Sequence, residues 1–302
     1  VTGALRVRAE PDAPVDLLRT CGALREGRTD PTWHVTAELV ERSAWTAAGP
    51  ASLRVRRVGP RYEADAWGPG APELAATVPA LLGLHDDPRG FRPELHPLVH
   101  RTHRRVGPVR VGAGRQVLEA LVPQVLGQRV TAREAHRSWR QLVVRHGAAA
   151  PGPVRVRLAP SPRALCRLGV ADWHVLGVER QRADTIRRCV SLLGPLRRAA
   201  EAGSDELQRV LRTIPGVGPW TATGLAATVA GDPDAVLLGD LHLPHTVCHA
   251  LAGEPRGDDA RMLELLAPWA GHRLRVVRLI GAAGVRAPRR GPRYAPLPIA
   301  RW

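Results

Sequence analysis

Between two stretches of helical periodicity the chain reads Ile214-Pro215-Gly216-Val217-Gly218, and no other five residues restrict its path as strongly. Leu207, Val210, Leu211 and Ile214 recur at three-to-four spacing behind Ser204, which suits a helix N-cap, so the spacing predicts a helix over Asp205 to Thr213. Pro215 has no amide to donate, and the glycines reach backbone angles closed to other residues, so the chain must turn there. Pro219 suits the first turn of a second helix, Trp220 to Ala230. The glycine amides and that helix's N-terminus then converge on one point, a site for an anion such as a phosphate. Val236-Leu237-Leu238 reads as a buried, strand-like run leading to Gly239-Asp240. Asp240 is a lone acid in that setting, a helix cap or a catalytic group, and it can be both.

Charge bounds the partner. Over 302 residues, 44 Lys plus Arg stand against 28 Asp plus Glu, a net +16 with a pI near 11.4, so a polyanion bound in a salt-dependent way is expected. The sequence contains no lysine, so every one of those cations is an arginine, whose guanidinium pairs bidentately with phosphate. Cys21, Cys166, Cys189 and Cys248 are scattered without a C-x-x-C pair, which argues against a zinc site or a disulfide framework. No apolar run approaches membrane-spanning length and no signal pattern opens the chain, so we expect no membrane partner and a cytoplasmic, nucleoid-associated location. The chain begins at Val1 rather than Met, consistent with trimming or with an upstream segment.

Two textures divide the chain, and the fold class expected is α+β. Residues 1–106 mix turns with the alternating stretches Leu5 to Arg8, Trp33 to Ala37 and Leu53 to Arg56, the pattern of half-buried antiparallel strands. Val15 to Leu24 and Pro72 to Leu82 read as helices, and a turn-rich passage runs from Asp86 to Pro97. Residues 107–302 read as helical: Gly114 to Val125, Ala132 to His146, Ser161 to Leu168, Val170 to Leu176, Asp184 to Leu193, His242 to Leu251, Arg261 to Leu266 and Arg273 to Ile280. The Pro- and Arg-rich tail from Ala287 to Trp302 reads as irregular chain packed across the surface.

Leu211 through Ala222 with its Pro-Gly-Val-Gly centre, followed 22 residues after Gly218 by Asp240 in an Asp-x-His-hydrophobic setting, resembles the helix-hairpin-helix DNA glycosylase superfamily. The likeness is to its monofunctional branch of the 3-methyladenine DNA glycosylase II type, in a variant common in high-GC bacteria. The resemblance implies that Pro215, Gly216, Val217, Gly218 and Thr221 grip a DNA strand and that Asp240 is the catalytic carboxylate. Leu126-Gly127-Gln128-Arg129-Val130-Thr131 resembles the segment that fills the gap left by an extruded nucleotide. Gln128 would then lie by the pocket and Arg129 would be the inserted residue, where better-known relatives often wedge an apolar side chain. Without the resemblance, the same segment is a kinked core helix with Arg129 exposed. Leu176 to Ala183 matches a further family segment, in which Arg180 and Arg182 either reach phosphates or are solvated.

The chemistry implied is base excision from double-stranded DNA containing a damaged base, by a monomer without cofactor. Breaking an N-glycosidic bond develops positive charge on the sugar, which one carboxylate can stabilise. Lyase chemistry needs an amine nucleophile, and Trp220 stands where bifunctional members carry their Schiff-base lysine. A methylated, cationic purine calls for electron-rich rings, and Trp220 and Trp269 are the available walls, or else plain core. Gly224 departs from relatives that place a tyrosine there. His242, His245 and His249 recur on one helix and read as surface or phosphate-facing groups rather than a metal site, so no metal is expected. The iron-sulfur cluster of some relatives is excluded by counting cysteines after Cys248. Rival readings are a glycosylase for a deaminated purine, and a catalytically silent DNA-binding protein that kept the hairpin.

Overall fold

The computed structural model describes residues 3–288, so most of the tail read from Ala287 to Trp302 lies outside the described residues. Five strands pair antiparallel in the order β1 (Leu5–Ala9), β5 (Arg61–Trp67), β4 (Pro50–Val58), β3 (Leu39–Trp45) and β2 (Trp33–Val35). Three of these were legible as alternating stretches. Of the other two, β5 alternates but with small alanines on its apolar face, and β3 breaks the pattern. In β3, Glu41 and Arg42 are each 1% exposed, because Glu41 accepts from Arg54 Nε (2.7 Å) and Arg155 N (3.0 Å) while Arg42 donates to the Gly114 carbonyl (2.8 Å). Paired charges can occupy a core where lone ones cannot. The inward face of β5 is largely alanine, with Ala64 and Ala66 buried beside Tyr62.

Short helices α1 (Leu17–Thr20), α2 (Ala71–Ala76) and α3 (Val78–Leu81) cover one side of the sheet and share its core, which includes Leu17, Leu53, Tyr62 and Leu74. The next helix, α4 (Pro97–Val106), precedes residue 107 yet packs on α15 (Arg273–Ala283), so its Val99 joins a core built mostly from the C-terminal helices.

A larger core is made by α5 (Val117–Leu126), α6 (Ala132–His146), α7 (Pro162–Arg167), α8 (Val170–Val175), α9 (Arg180–Ser191), α10 (Leu193–Ala202), α11 (Ser204–Leu211) and α12 (Pro219–Leu225). Trp139 and Trp173 fill it, and Trp139 Nε1 donates to Asp30 Oδ1 across to the sheet layer (2.9 Å). A single π-turn, Ala226–Ala230, extends α12 to the expected end of the second hairpin helix. Helices α13 (Leu243–Ala252) and α14 (Asp259–Leu266) complete the third core with α15. The run Val236 to Leu238 forms no strand; it crosses as loop, with Val236 buried among these last helices. No helix among the described residues is long and apolar enough to cross a membrane.

Candidate active site at the helical hairpin

The turn between α11 and α12 adopts the geometry its residues demand. Gly216 has φ +93°, a conformation that L side chains rarely adopt, and a Cβ on it would overlap the Thr185 side chain of α9. Arg188 on α9 donates to the Pro215 carbonyl (3.2 Å), and Val217 is 6% exposed, anchoring the turn in the core. Among the described residues, Gly218 meets nothing within 4 Å of where a Cβ would stand. The turn is thus gripped from behind while Pro215, Gly216 and Gly218 remain exposed on its outer side. Pro219 opens α12 as expected. Ser204 does not cap α11: Gly203 holds that position, and the Ser204 hydroxyl is drawn to Asp232 Oδ2 (2.7 Å).

Gln128 ties the second expected segment to the hairpin. Its Nε2 donates to the Gly216 carbonyl (2.9 Å) and to Thr221 Oγ1 (2.8 Å). Thr221 is therefore turned inward, 2% exposed, and braces the turn from within. The loop carrying Gln128 and Arg129 is fixed at both ends. At its entry, Arg182 on α9 donates to the Leu126 carbonyl at the end of α5 (2.8 Å) and to the Gly177 carbonyl (3.2 Å). Arg182 is 4% exposed, so it is neither solvated nor free for a phosphate, and burial lowers its pKa. At its exit, Thr131 and Glu134 form a reciprocal capping box on α6, with Thr131 N to Glu134 Oε2 at 2.9 Å. Between these anchors Arg129 stands exposed with φ +56°. Non-glycine residues seldom adopt that angle, and it projects the side chain from the tip of a short, rigid loop.

Asp240 is half-buried and takes the capping role that the sequence leaves open to it. Its Oδ1 accepts the amides of His242 and Leu243 (both 2.9 Å) at the start of α13, and its Oδ2 accepts Trp220 Nε1 (3.1 Å) from the first turn of α12. The carboxylate is thus oriented by three donors and linked through Trp220 to the hairpin. Trp220 lies against Gly127, where a Cβ would come 3.4 Å from its ring, so the ring stands between the loop and the acid, in contact with both.

Other residues singled out in the sequence lie elsewhere. Trp269 is 4% exposed, donates through Nε1 to the Arg92 carbonyl (2.8 Å) and packs in the core with Val99, Met262 and Leu266, so it has no free face for a base. His245 Nδ1 accepts the Gly257 amide (3.2 Å), and its Nε2 lies 3.0 Å from Arg256 Nη1. The described residues contain no group of three or more His, Cys, Asp or Glu arranged to hold a metal. Gly224 faces α5, where the Gln124 carboxamide occupies the space a Cβ would take. Sequence reasoning passed over Gln124 and left Arg182 between phosphate and solvent. Gln124 was detectable as one of only two hydrophilic side chains, with Glu119, in the otherwise apolar α5.

No family model matches the chain. A stretch of 174 residues is 32% identical to the "Probable bifunctional transcriptional activator/DNA repair enzyme AlkA" of Mycobacterium tuberculosis, covering 54% of this chain and 34% of that protein. The chain thus spans about one third of the length of the curated relatives it matches. Among solved structures, the 3-methyladenine DNA glycosylase from Archaeoglobus fulgidus superposes with a TM-score of 0.73 at 16% identity, over 92% of this chain and 98% of that one. The 8-oxoguanine glycosylase/lyase of Clostridium acetobutylicum in complex with double-stranded DNA gives 0.63 at 15% identity, over 92% and 95%. The chain thus has the fold of these solved DNA glycosylases, and over 174 residues it is similar in sequence to the mycobacterial protein.

Proposed function

We propose that the protein is a base-excision DNA repair glycosylase that turns an alkylated purine out of duplex DNA and hydrolyses its N-glycosidic bond without strand scission. The observation that carries this reading is Asp240, held by Trp220 Nε1 and two main-chain amides beside an exposed glycine turn. Among the described residues the Gly216 and Gly218 amides find no acceptor within the protein, and at the start of α12 they suit a backbone phosphate. Arg129, at the rigid loop tip, fills the stack when the nucleotide leaves it. The expelled base lies against Trp220, whose ring attracts a purine made cationic by alkylation. As the glycosidic bond lengthens, positive charge grows on the sugar, and the fixed Asp240 carboxylate stabilises it while orienting water. The absence of lysine from the sequence supports hydrolysis over imine chemistry, which needs an amine.

The discriminating experiment is Asp240→Asn on methylated DNA. Asparagine keeps an oxygen for the His242 and Leu243 amides, so the cap survives while the charge is lost. Single-turnover base release is expected to fall by about two to three orders of magnitude with DNA affinity retained. Equally slow base release by the two proteins, with DNA still bound, would identify a silent DNA-binding protein instead. Wild-type product that is nicked before heat or alkali would overturn the monofunctional assignment.

A further inference from the structure

Helices α5 and α12 pack in a regular seam. Gln128 meets Thr221, Gly127 meets the Trp220 ring, and one turn further along Gln124 meets Gly224. Trp220 and Gly224 share a face of α12 at i, i+4, and Gln124 shares a face of α5 with Gly127 and Gln128, so Gln124 lies one turn below the aromatic ring. The fit is close: a Cβ at position 224 would overlap the Gln124 carboxamide, so no side chain larger than glycine coexists with that rotamer. Yet this closely held amide is incomplete. Gln124 Nε2 is buried and has no hydrogen-bond partner among the described residues, although both Gln124 and Trp220 are partly exposed. A buried donor without an acceptor is destabilising, and native proteins seldom keep one unless something else satisfies it.

We propose that Gln124 is a specificity-determining residue of the base pocket, its carboxamide pairing with an edge of the extruded base that presents an acceptor beside an amino group. The inference rests on the base-excision reading. Rotation about the soft terminal torsion of glutamine turns the amide toward the Trp220 face. Adenine offers the complementary edge, with N7 accepting from Nε2 and the N6 amino group donating to Oε1. Alkylation at N3 leaves that edge intact. Alkylation at N7 of guanine replaces the acceptor with an alkyl group, and a carbonyl stands where the amino group would be. The pocket therefore favours N3-alkyladenine over N7-alkylguanine.

Duplex DNA treated with a methylating agent carries both lesions, and mass spectrometry of the freed bases under single-turnover conditions reads the two rates together. With Gln124→Leu, release of N3-methyladenine is expected to drop roughly 10- to 100-fold, the range for loss of one bidentate base contact, while release of N7-methylguanine changes by less than about threefold. Gly224→Ala, which displaces the amide without deleting it, should shift the ratio in the same direction. Relieved of its orphaned donor, the leucine protein should also melt at a higher temperature than wild type. A ratio unchanged in both variants overturns the role of Gln124 and leaves the base-excision reading standing. Release of neither base by the wild-type protein overturns that reading and the inference together.

Discussion

A single side chain at the loop tip separates what the fold needs from what the proposed reaction needs. Arg129 is exposed, and its φ of +56° is one that glycine adopts without strain. Arg129→Gly should therefore leave thermal stability within about 1 kcal/mol of wild type or slightly above it. The same change removes the group proposed to hold the stack open. Extrusion then goes uncompensated, and the base-release rate should fall about tenfold or more, since unstacking costs a few kcal/mol. Fluorescence of a 2-aminopurine placed beside the lesion measures the extruded fraction directly. A rate and fluorescence equal to wild type would return Arg129 to the plain exposed residue its sequence also allowed. At this scale the sequence was informative where a residue has few alternatives: the lone Asp240 and the glycines of the turn. It was silent on Trp269, because an indole suits a core as well as a ligand wall and only its bond to the Arg92 carbonyl decides between them.

The hairpin shows how an element can be read from sequence while its support cannot. Pro215, Gly216, Gly218 and Pro219 restrict the backbone whatever surrounds them, so the turn and both flanking helices were legible. The groups that grip the turn are remote in sequence: Thr185 and Arg188 on α9 and Gln128 after α5. Gly216→Ala tests that grip, because the new methyl group meets Thr185 while the backbone is held at φ +93°. A cost of about 1–3 kcal/mol is expected, seen as a melting temperature lowered by several degrees, together with weaker binding to undamaged duplex DNA. Adding Thr185→Ala removes the overlap but not the backbone strain, so the double variant should recover only part of the loss. Full recovery would mean that the angle itself carries no cost. The strand β3 was missed for a related reason: its hydrogen-bonded charges erase the alternation by which strands are recognised, and Arg155 and Gly114, which satisfy them, lie far away in sequence, whereas β5 alternates but offers only small alanines as its apolar signal.

Across the whole molecule, the sheet layer and the helical layer meet through the end of β3. There Glu119 Oε1 of α5 accepts the Trp45 amide (2.7 Å) and Arg197 of α10 donates to the Trp45 carbonyl (2.7 Å). Glu119 Oε2 has no partner among the described residues, and burial pushes the Glu119 carboxyl up to about 7, against the opposing pull of the Trp45 amide and Arg42. The folded protein therefore holds a proton that the unfolded chain releases near pH 4.5. The corresponding stability is fully present below pH 4.5 and is lost as the pH rises through about 7, a change on the order of 3 kcal/mol for the full shift. Burial also raises Glu26 to about 7, with the same sign. Desolvation lowers His103 and His136, which act in the opposite direction as the pH falls through their range. The raw pH profile therefore mixes these terms, and the difference between wild type and Glu119→Gln isolates one. Glutamine keeps an oxygen for Trp45 and does not titrate, so denaturant unfolding at pH 5 and pH 8 should show a smaller loss of stability for the variant than for wild type. If the two proteins lose equal stability between those pH values, the layers are joined by a Glu119 that is ionised throughout, with Arg42 compensating its charge in full.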